Sequence, residues 1–304
     1  MSNGFKIPVI PKYEEGKKYL VIAGCSFTAP PNQWPERTDI KDLGKELIWN
    51  SWGEQTADVL DMVCINSGIS GVGNNMIMRQ LLYTLYRMFE MGYPKESIIA
   101  SVMWSGCDRT EIFMNDGEEK IVPERGAPVR PRKNILGSNG YWISFNPSTV
   151  GYMEQQMNSD APLVNFPESC RKYIEIGNHI YFRTWASEVQ RILYSLQCVL
   201  TTQEFLKNKG IKYCFQRYTA DCFMEETFDY TNPELSWIDS FIDWDKFIEG
   251  GEFEWCYDNT EGPFVEETRL GWKREDRKKE PMHPTVKQHQ KYAEEVVVPF
   301  IKKL

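Results

Sequence analysis

Short apolar runs alternate along the chain with longer segments in which apolar residues recur at helical spacing. The runs predict four strands, at residues 19–23, 62–65, 97–104 and 211–218. The periodic segments predict helices at residues 52–60, 75–91 and about 184–210, and a last helix that begins with a capping-box pattern at Thr285. Strands that alternate with helices pair in parallel through right-handed crossovers. The pattern therefore predicts an α/β fold around a central parallel sheet.

Two stretches interrupt this alternation. Residues 115–180 carry Gly, Pro and Asn without a clean period, and we interpret them as a long insertion that serves as a lid, a partner surface or a small subdomain. Residues 225–275 are acidic and aromatic, and within them residues 234–248 have the pattern of a helix. The first 18 residues contain prolines and charges and predict an extended arm. We therefore expect an arm at 1–18 and one domain at 19–304 that carries both insertions.

Composition and charge narrow the classes of partner. The chain has 304 residues, a formal net charge of −8 and a pI near 5.2. Nucleic acids and anionic membranes are bound by clustered Lys and Arg, so this acidic balance argues against both partners. The eight cysteines are widely spaced and several lie in apolar runs, which is typical of a reducing compartment.

Targeting and metal-binding patterns are also missing from the sequence. No run approaches the roughly 18 apolar residues of a membrane span, and the chain begins without the pattern of a signal peptide. No CxxC pair or Cys/His cluster has zinc spacing. We therefore expect a soluble cytoplasmic protein that needs no metal and no organic cofactor.

The end of the first predicted strand carries a candidate nucleophile. In the stretch YLVIAGCSFT, at residues 19–28, the apolar run stops at Gly24 and is followed by Cys25 and Ser26. Open α/β sheets bind ligands at the carboxyl ends of their strands, which makes Ser26 a candidate catalytic residue. The alternative interpretation is that this turn only ends a strand and that its serine caps a helix.

Three histidines are available as a general base. His179 lies in the first insertion and is most simply a packed or loop residue, and His289 falls one turn into the last helix. His283 precedes that helix in the stretch EPMHP, three residues after Glu280. A serine nucleophile needs a base, and the base needs a carboxylate that orients it. Glu280 and His283 are the candidates for these roles.

Other residues at strand ends are candidates for contacts with a substrate. Gly68, Gly71 and Gly73 lie between the second strand and the next helix, where backbone N–H groups can approach a ligand closely. Such donors form the oxyanion hole of acyl-transfer enzymes. Asp108 and Arg109 follow the third strand and either orient a substrate or take part in an intramolecular ion pair.

Four blocks of the sequence, taken in order, resemble the SGNH (GDSL-like) hydrolase superfamily. They are YLVIAGCSFT, INSGISGVGNN, the strand that ends in MWSGCDR, and EPMHP near the C-terminus. The resemblance is closest to intracellular-type members with a GCSFT first block, which tailed phages often encode. It covers most of the sheet but not residues 115–180 or 225–275. It implies a three-layer α/β/α, flavodoxin-like fold.

The resemblance also implies roles for individual residues. Ser26 matches the nucleophile, and its backbone N–H matches the first oxyanion donor. Gly71 matches the glycine of the second block, whose N–H is the next donor. His283 matches the base, and Glu280 occupies the position where the family usually has Asp.

The chain departs from the family pattern in its first and third blocks. Cys25 stands where Asp is commoner, but that side chain is not the nucleophile. The third block normally supplies an Asn donor, and Cys107 occupies the matching position, although a thiol is a poor donor. Asn74 or Asn75, at the start of the following helix, is a candidate replacement. The loss of one such donor costs roughly 10²–10³ in rate.

Two functions of different class follow from these observations. The first is an SGNH-like serine esterase or acyl hydrolase that acts on a small ester, a lipid or an acylated carbohydrate such as an O-acetyl glycan. The second is a structural or interaction protein of a phage particle that keeps the fold after its chemistry has decayed. Its partners are then virion proteins or further copies of the chain, and it is found in the bacterial cytoplasm or in the virion.

Overall fold

A four-stranded parallel sheet forms the centre of the fold. The computed structural model describes residues 8–29, 51–69, 71–107, 109–115, 140–145, 187–223, 231–265, 267 and 282–304. The strands of the sheet are β1 (Tyr19–Ala23), β2 (Val63–Asn66), β3 (Ile98–Trp104) and, after two strands outside this sheet, β6 (Lys212–Arg217). Their spatial order is β2-β1-β3-β6. The predicted α/β fold with a central parallel sheet is confirmed.

The strand β1 lies in the middle of the sheet, between β2 and β3, and both of its faces are buried. All five of its side chains are buried. Tyr19 lies opposite Val63 of β2 on one edge and opposite Ile98 of β3 on the other. An uninterrupted apolar run of this kind is typical of a strand covered on both faces in a parallel sheet. The carboxyl end of β1 is therefore flanked by the carboxyl ends of β2 and β3.

Helices cover both faces of the sheet and complete a three-layer α/β/α arrangement. On one face lie α1 (Trp52–Val59) and the C-terminal helix, and on the other lie α2 (Asn74–Glu90) and α3 (Glu188–Lys209). This division follows from the strand order, because the chain moves outward from β1 to β2 and then crosses back in the opposite direction to β3. Right-handed crossovers that run in opposite directions place their helices on opposite faces of the sheet. The order matches the start of the flavodoxin-like pattern. None of the described helices combines the length and the apolar character needed to cross a membrane.

The C-terminal helix begins at Val286, three residues after His283. Its first part is α6 (Val286–Tyr292), and a capping box joins Thr285 to Gln288 as the sequence predicts. A π-helical turn (Ala293–Val297) connects this part to α7 (Val298–Ile301), which contains Pro299. A proline lacks a backbone N–H and its ring clashes with the preceding turn, and a widened turn accommodates it.

The segment between β6 and α6 differs from the helix predicted at residues 234–248. The structure has α4 (Pro233–Asp239), a short 3-10 turn (Trp244–Lys246) and α5 (Glu252–Asn259), which no pattern predicted. The side chain of Gln203 donates to the carbonyl of Phe241 and accepts from the N–H of Asp243. The side chain of Gln203 on α3 therefore binds backbone groups that a helix at residues 234–248 would need for its own hydrogen bonds. For this reason α4 ends before them. The helix α4 packs on α3, and α5 packs on α6.

A second, antiparallel sheet contains β4 (Thr110–Asn115) and β5 (Gly140–Phe145). Neither strand was predicted, since β5 belongs to the stretch at 115–180 in which scattered aromatic residues gave no clean period. The rest of that stretch lies outside the described residues.

The described part of the N-terminal arm, residues 8–18, packs at the end of the sheet where β1 begins. The hydroxyl of Tyr93 donates to the carbonyl of Pro11, and the ring of Tyr13 lies 5.5 Å from that of Tyr93. The arm is therefore anchored at the edge opposite the carboxyl ends of the strands.

Candidate active site

Ser26 lies in a tight turn directly after β1. The carbonyl of Cys25 accepts hydrogen bonds from the N–H groups of Thr28 (3.0 Å) and Ala29 (2.9 Å). A Cβ atom at Gly24 would lie 2.2 Å from Thr28 Oγ1, so the turn requires glycine at this position. Ser26 is half-buried, whereas the residues on either side of it are buried. The turn therefore presents the hydroxyl of Ser26 at the carboxyl edge of the sheet.

Contacts from α1, from the last residue of β2 and from the loop after β2 hold this turn in place. Trp52 Nε1 donates to Thr28 Oγ1 (3.2 Å), and Asn66 Nδ2 donates to the carbonyl of Thr28 (2.6 Å). A Cβ atom at Gly68 would lie 2.8 Å from the carbonyl carbon of Thr28. The loops after β1 and β2 are thus in direct contact, which fixes the position of Ser26 on the sheet.

His283 meets Ser26 although the two residues are 257 positions apart in sequence. His283 Nε2 lies 2.7 Å from Ser26 Oγ. The ring of Phe27 lies 4.9 Å from the imidazole ring, between centroids, and the N–H of Val265 donates to the carbonyl of His283 (3.1 Å). The structure therefore brings together the two residues that the sequence predicted as nucleophile and base, at hydrogen-bond distance.

The start of α6 fixes the backbone that follows His283. Thr285 is the N-cap of α6, and its N–H donates to Gln288 Oε1 (2.8 Å). Gln288 Nε2 donates in turn to Thr260 Oγ1 (3.0 Å), directly after α5. The loop that carries His283 is thus tied to the end of α5 through the helix cap.

The loop between β2 and α2 brings its glycines close to the same edge. Gly71 has a φ angle of +76°, which L-residues adopt at a cost, and nothing lies within 4 Å of the position that its Cβ atom would take. A Cβ atom at Gly73 would lie 2.6 Å from the carbonyl oxygen of Arg109. This loop therefore packs against the segment after β3 and leaves open space beside Gly71.

The side chain of Asn74 is engaged elsewhere. Its Nδ2 donates to the carbonyl of Ser105 (2.9 Å) and to Ser195 Oγ (3.0 Å), and its Oδ1 accepts from the N–H of Ser105 (2.8 Å). Both amide hydrogens are used, so in this arrangement neither is available to an oxyanion. Asn74 is also the first residue of α2, whose N-cap is Gly73. The structure thus assigns Asn74 to the junction of β3, α2 and α3.

Arg109 lies beside the candidate site. Its guanidinium carbon lies 5.4 Å from the centroid of the Tyr218 ring, and that ring is 5.2 Å from the ring of Phe27. Phe27 in turn contacts His283, so a chain of ring contacts joins Arg109 to the imidazole. Cys107, which the sequence resemblance aligns with an Asn donor, is buried.

Three residues singled out from the sequence lie outside the described residues. They are Glu280, Asp108 and His179. The carboxylate that orients His283 therefore stays a prediction for Glu280. Within the described part of the chain, no group of three His, Cys, Asp or Glu side chains is arranged to hold a metal ion.

A buried acid that the sequence did not reveal lies close to this site. Glu252 is the first residue of α5 and is fully buried, and its Oε1 lies 2.6 Å from Nδ1 of His289. Burial raises the pKa of the Glu252 carboxyl, while the imidazoles of His289 and His283 act in the opposite direction. Sequence reasoning missed Glu252 because it lies in the stretch at 225–275. The sequence does carry one signal that could have revealed α5, which is the Gly-Gly pair directly before its acidic and apolar run.

Comparisons of the sequence with models of protein families and with curated proteins find no match. Two solved structures are similar to the chain at low identity. A protein from Desulfitobacterium hafniense DCB-2, assigned to the lipolytic G-D-S-L family, is 12% identical, covers 91% of this chain and 97% of its own, and has a TM-score of 0.33. An acetyl xylan esterase from the rumen bacterium Butyrivibrio proteoclasticus is 11% identical, with 97% of this chain and 65% of that chain covered and a TM-score of 0.35. With TM-scores this low, neither similarity assigns a function to this chain.

Proposed function

We propose that the protein is a serine esterase in which Ser26 is the nucleophile and His283 is the general base. The observation that carries this proposal is the distance of 2.7 Å between Ser26 Oγ and His283 Nε2. A serine hydroxyl is a weak nucleophile until an adjacent base accepts its proton, and this distance lies within the range that proton transfer requires. The half-buried position of Ser26 leaves its hydroxyl accessible to a substrate.

The proposed reaction has two steps. In the first, Ser26 Oγ bonds to the ester carbonyl carbon while His283 accepts the hydroxyl proton, and the imidazolium then protonates the alcohol as it leaves. In the second, His283 removes a proton from water, which attacks the acyl carbon; the bond to Ser26 Oγ then breaks, the imidazolium returns the proton to Ser26 Oγ, and the acid is released. Glu280 is the proposed partner of the imidazole, which it orients and stabilises in the charged form.

The proposed oxyanion donors are backbone groups. The N–H groups of Ser26 and Gly71 fill this role, and the loop that carries Gly71 has open space beside it. Asn74 is not included, because its amide is bonded to Ser105 and Ser195. With two donors in place of three, we expect turnover to be lower by roughly 10²–10³ than in a site with the full set.

The proposed substrate is a small ester or an acylated glycan. Arg109, which lies over the ring of Tyr218 near His283, and Asp108 are the groups that we propose orient it. A guanidinium group next to aromatic rings is suited to a substrate with polar oxygens, since it donates several hydrogen bonds in a fixed plane.

The alternative of a decayed phage structural protein predicts a different site. A structural protein does not require Ser26 and His283 to be in contact. The distance of 2.7 Å between Ser26 Oγ and His283 Nε2 therefore favours the enzyme over the structural protein. The partner surface that the alternative needs, at residues 115–180, lies largely outside the described residues.

Labelling by a fluorophosphonate, followed by hydrolysis of short-chain p-nitrophenyl esters, tests the proposal. We expect the wild type to be labelled and Ser26→Ala to lose both labelling and turnover. His283→Ala should slow labelling by roughly 10²–10⁴, the contribution of a general base. Ser187→Ala, which removes a serine at the N-cap of α3, is the matched control and should label as the wild type does.

The same assay separates the two functions. Glu280→Gln should lower the rate of labelling if Glu280 orients the imidazole, as proposed. A wild type that neither reacts with the fluorophosphonate nor hydrolyses any ester would overturn the enzyme and leave the structural alternative.

A further inference from the structure

The side chain of Asn66 joins the two loops that carry the proposed oxyanion donors. Asn66 is the last residue of β2 and is partly buried. Its Nδ2 donates to the carbonyl of Thr28 (2.6 Å), which lies two residues after Ser26. Its Oδ1 accepts from the N–H of Gly68 (2.8 Å), which lies three residues before Gly71. One amide group therefore binds the backbone of both loops.

Glu54, on α1, holds Asn66 in this orientation. Its Oε1 accepts from Asn66 Nδ2 (2.5 Å). Its Oε2 accepts from the N–H of Ser51 (2.9 Å) and from the hydroxyl of Ser51, so the carboxylate is itself fixed by the capping box of α1. If the Asn66 amide were reversed, its oxygen would face the carboxylate and the carbonyl of Thr28, and its NH2 group would face the N–H of Gly68. The hydrogen-bond partners therefore permit only one orientation of the amide.

Backbone contacts reinforce this link on both sides of Ser26. Before it, the carbonyl of Gly24 accepts from the N–H of Ile69 (2.9 Å) in the loop after β2. After it, the N–H of Thr28 donates to the carbonyl of Cys25 (3.0 Å) and closes the turn that contains Ser26. A displacement of Thr28 would therefore move Ser26 relative to the loop after β2.

We infer that Asn66, anchored by Glu54, is a positioning residue that sets the distance between the N–H groups of Ser26 and Gly71, an inference that rests on the proposed esterase function. Two donors stabilise an oxyanion only when both lie within about 2.7–3.1 Å of the same oxygen atom. Because these donors belong to different loops, their separation depends on contacts between the loops. Asn66 supplies a contact that reaches the backbone of both.

This alignment acts on the transition state rather than on substrate binding. The negative charge on the carbonyl oxygen develops only as Ser26 attacks, so the two donors contribute most at that stage. Loss of the alignment should therefore lower kcat and kcat/KM by the same factor and leave KM unchanged. A misplacement of about 1 Å, caused by a change outside the reacting groups, costs roughly 10²-fold in rate.

The experiment compares Asn66→Ala with the matched control Gln203→Ala. The amide of Gln203 also accepts from a backbone N–H, that of Asp243 (2.7 Å), and donates to a backbone carbonyl, that of Phe241 (2.9 Å). Its Nε2 also lies 3.2 Å from a glutamate oxygen, Glu204 Oε1. These contacts join α3 to the segment that follows α4, whereas those of Asn66 join the two loops of the proposed site.

Both variants should denature at a lower urea concentration than the wild type, because each leaves the backbone partners of an amide unbonded. Only Asn66→Ala should slow fluorophosphonate labelling and lower kcat for p-nitrophenyl esters, by roughly 10²-fold with KM unchanged. The affinity for phenylboronic acid, which forms a tetrahedral adduct with a nucleophilic serine, should fall by the same factor.

The outcomes distinguish this inference from the proposed function. If Asn66→Ala and Gln203→Ala have the same kcat, or if Asn66→Ala raises KM in place of lowering kcat, the inference is wrong, and an active wild type leaves the proposed function standing. A wild type that neither labels nor hydrolyses an ester overturns the proposed function and this inference with it.

A second pair of variants covers the case in which Asn66→Ala does not fold. Glu54→Gln keeps the size of the anchor but removes its charge, and charge-assisted hydrogen bonds are roughly twice as strong as neutral ones. Glu204→Gln makes the same change beside Gln203. Labelling should slow in Glu54→Gln and keep the wild-type rate in Glu204→Gln. The wild-type rate in both variants would contradict the inferred role of the pair of Glu54 and Asn66.

Discussion

Asn74 illustrates how a single side chain is shared between three elements. Its amide binds both backbone groups of Ser105, at the end of β3, and the hydroxyl of Ser195 on α3. The side chain is almost completely buried, so water cannot replace these bonds. A residue in this position fixes the relative placement of the third strand and two helices.

Replacement of Asn74 by Ala should lower the free energy of unfolding by about 3 kcal/mol or more, because each buried polar group left without a partner costs about 1–3 kcal/mol. Urea denaturation measures this loss. Ser195→Ala, which removes one partner of the three, should cost about 1 kcal/mol. If Asn74→Ala instead kept its stability and lost roughly 10²–10³ in kcat, Asn74 would be the oxyanion donor that the sequence suggested.

At the scale of elements, the start of α6 links helix stability to the position of His283. The N-cap Thr285 and Gln288 form a capping box, which satisfies N–H groups that have no partner within the helix. Because Thr285 is two residues from His283, fraying of this helix end would release the loop that carries the imidazole.

Thr285→Ala should therefore cost about 1 kcal/mol of stability and also slow labelling of Ser26. The matched control is Ser187→Ala, since Ser187 caps α3 by accepting from the N–H of Gln190 (3.2 Å). Both variants should lose similar stability in urea denaturation, but only Thr285→Ala should react more slowly with a fluorophosphonate. Equal labelling rates would show that the cap does not position His283.

At the scale of the whole molecule, Glu252 makes stability depend on pH. Burial raises its pKa in the folded protein above the ordinary value. In the unfolded chain the carboxyl ionises near pH 4.3, whereas the folded protein still holds its proton there. The unfolded state binds fewer protons in this window, so the free energy of unfolding falls as the pH rises through it.

Glu252→Gln removes this dependence, because glutamine does not titrate. The free energy of unfolding of the variant, relative to the wild type, should increase as the pH rises from about 4.3 toward the raised pKa. Urea denaturation at a series of pH values measures the difference. A difference that stays constant across the series would contradict the raised pKa.

Local patterns account for the parts of the site that could be predicted from the sequence. The apolar run of β1 requires burial on both faces, the glycine after it permits the turn, and the capping box marks the start of α6. Each of these signals lies within a few neighbouring residues, so the chain alone reveals it. The positions of Ser26 and His283 at the ends of such elements follow from the same signals.

The sequence by itself thus determined the parallel sheet and the order of its main helices, together with a serine at a strand end and a histidine before a helix. Only the tertiary structure decided which residues meet. The hydrogen bonds of Asn74 reach residues that are 31 and 121 positions away in the sequence, and the bond between Glu252 and His289 spans 37 positions. The physical reason is that such contacts depend on how helices pack across the sheet. No local pattern of apolar and polar residues specifies which buried polar groups that packing brings together.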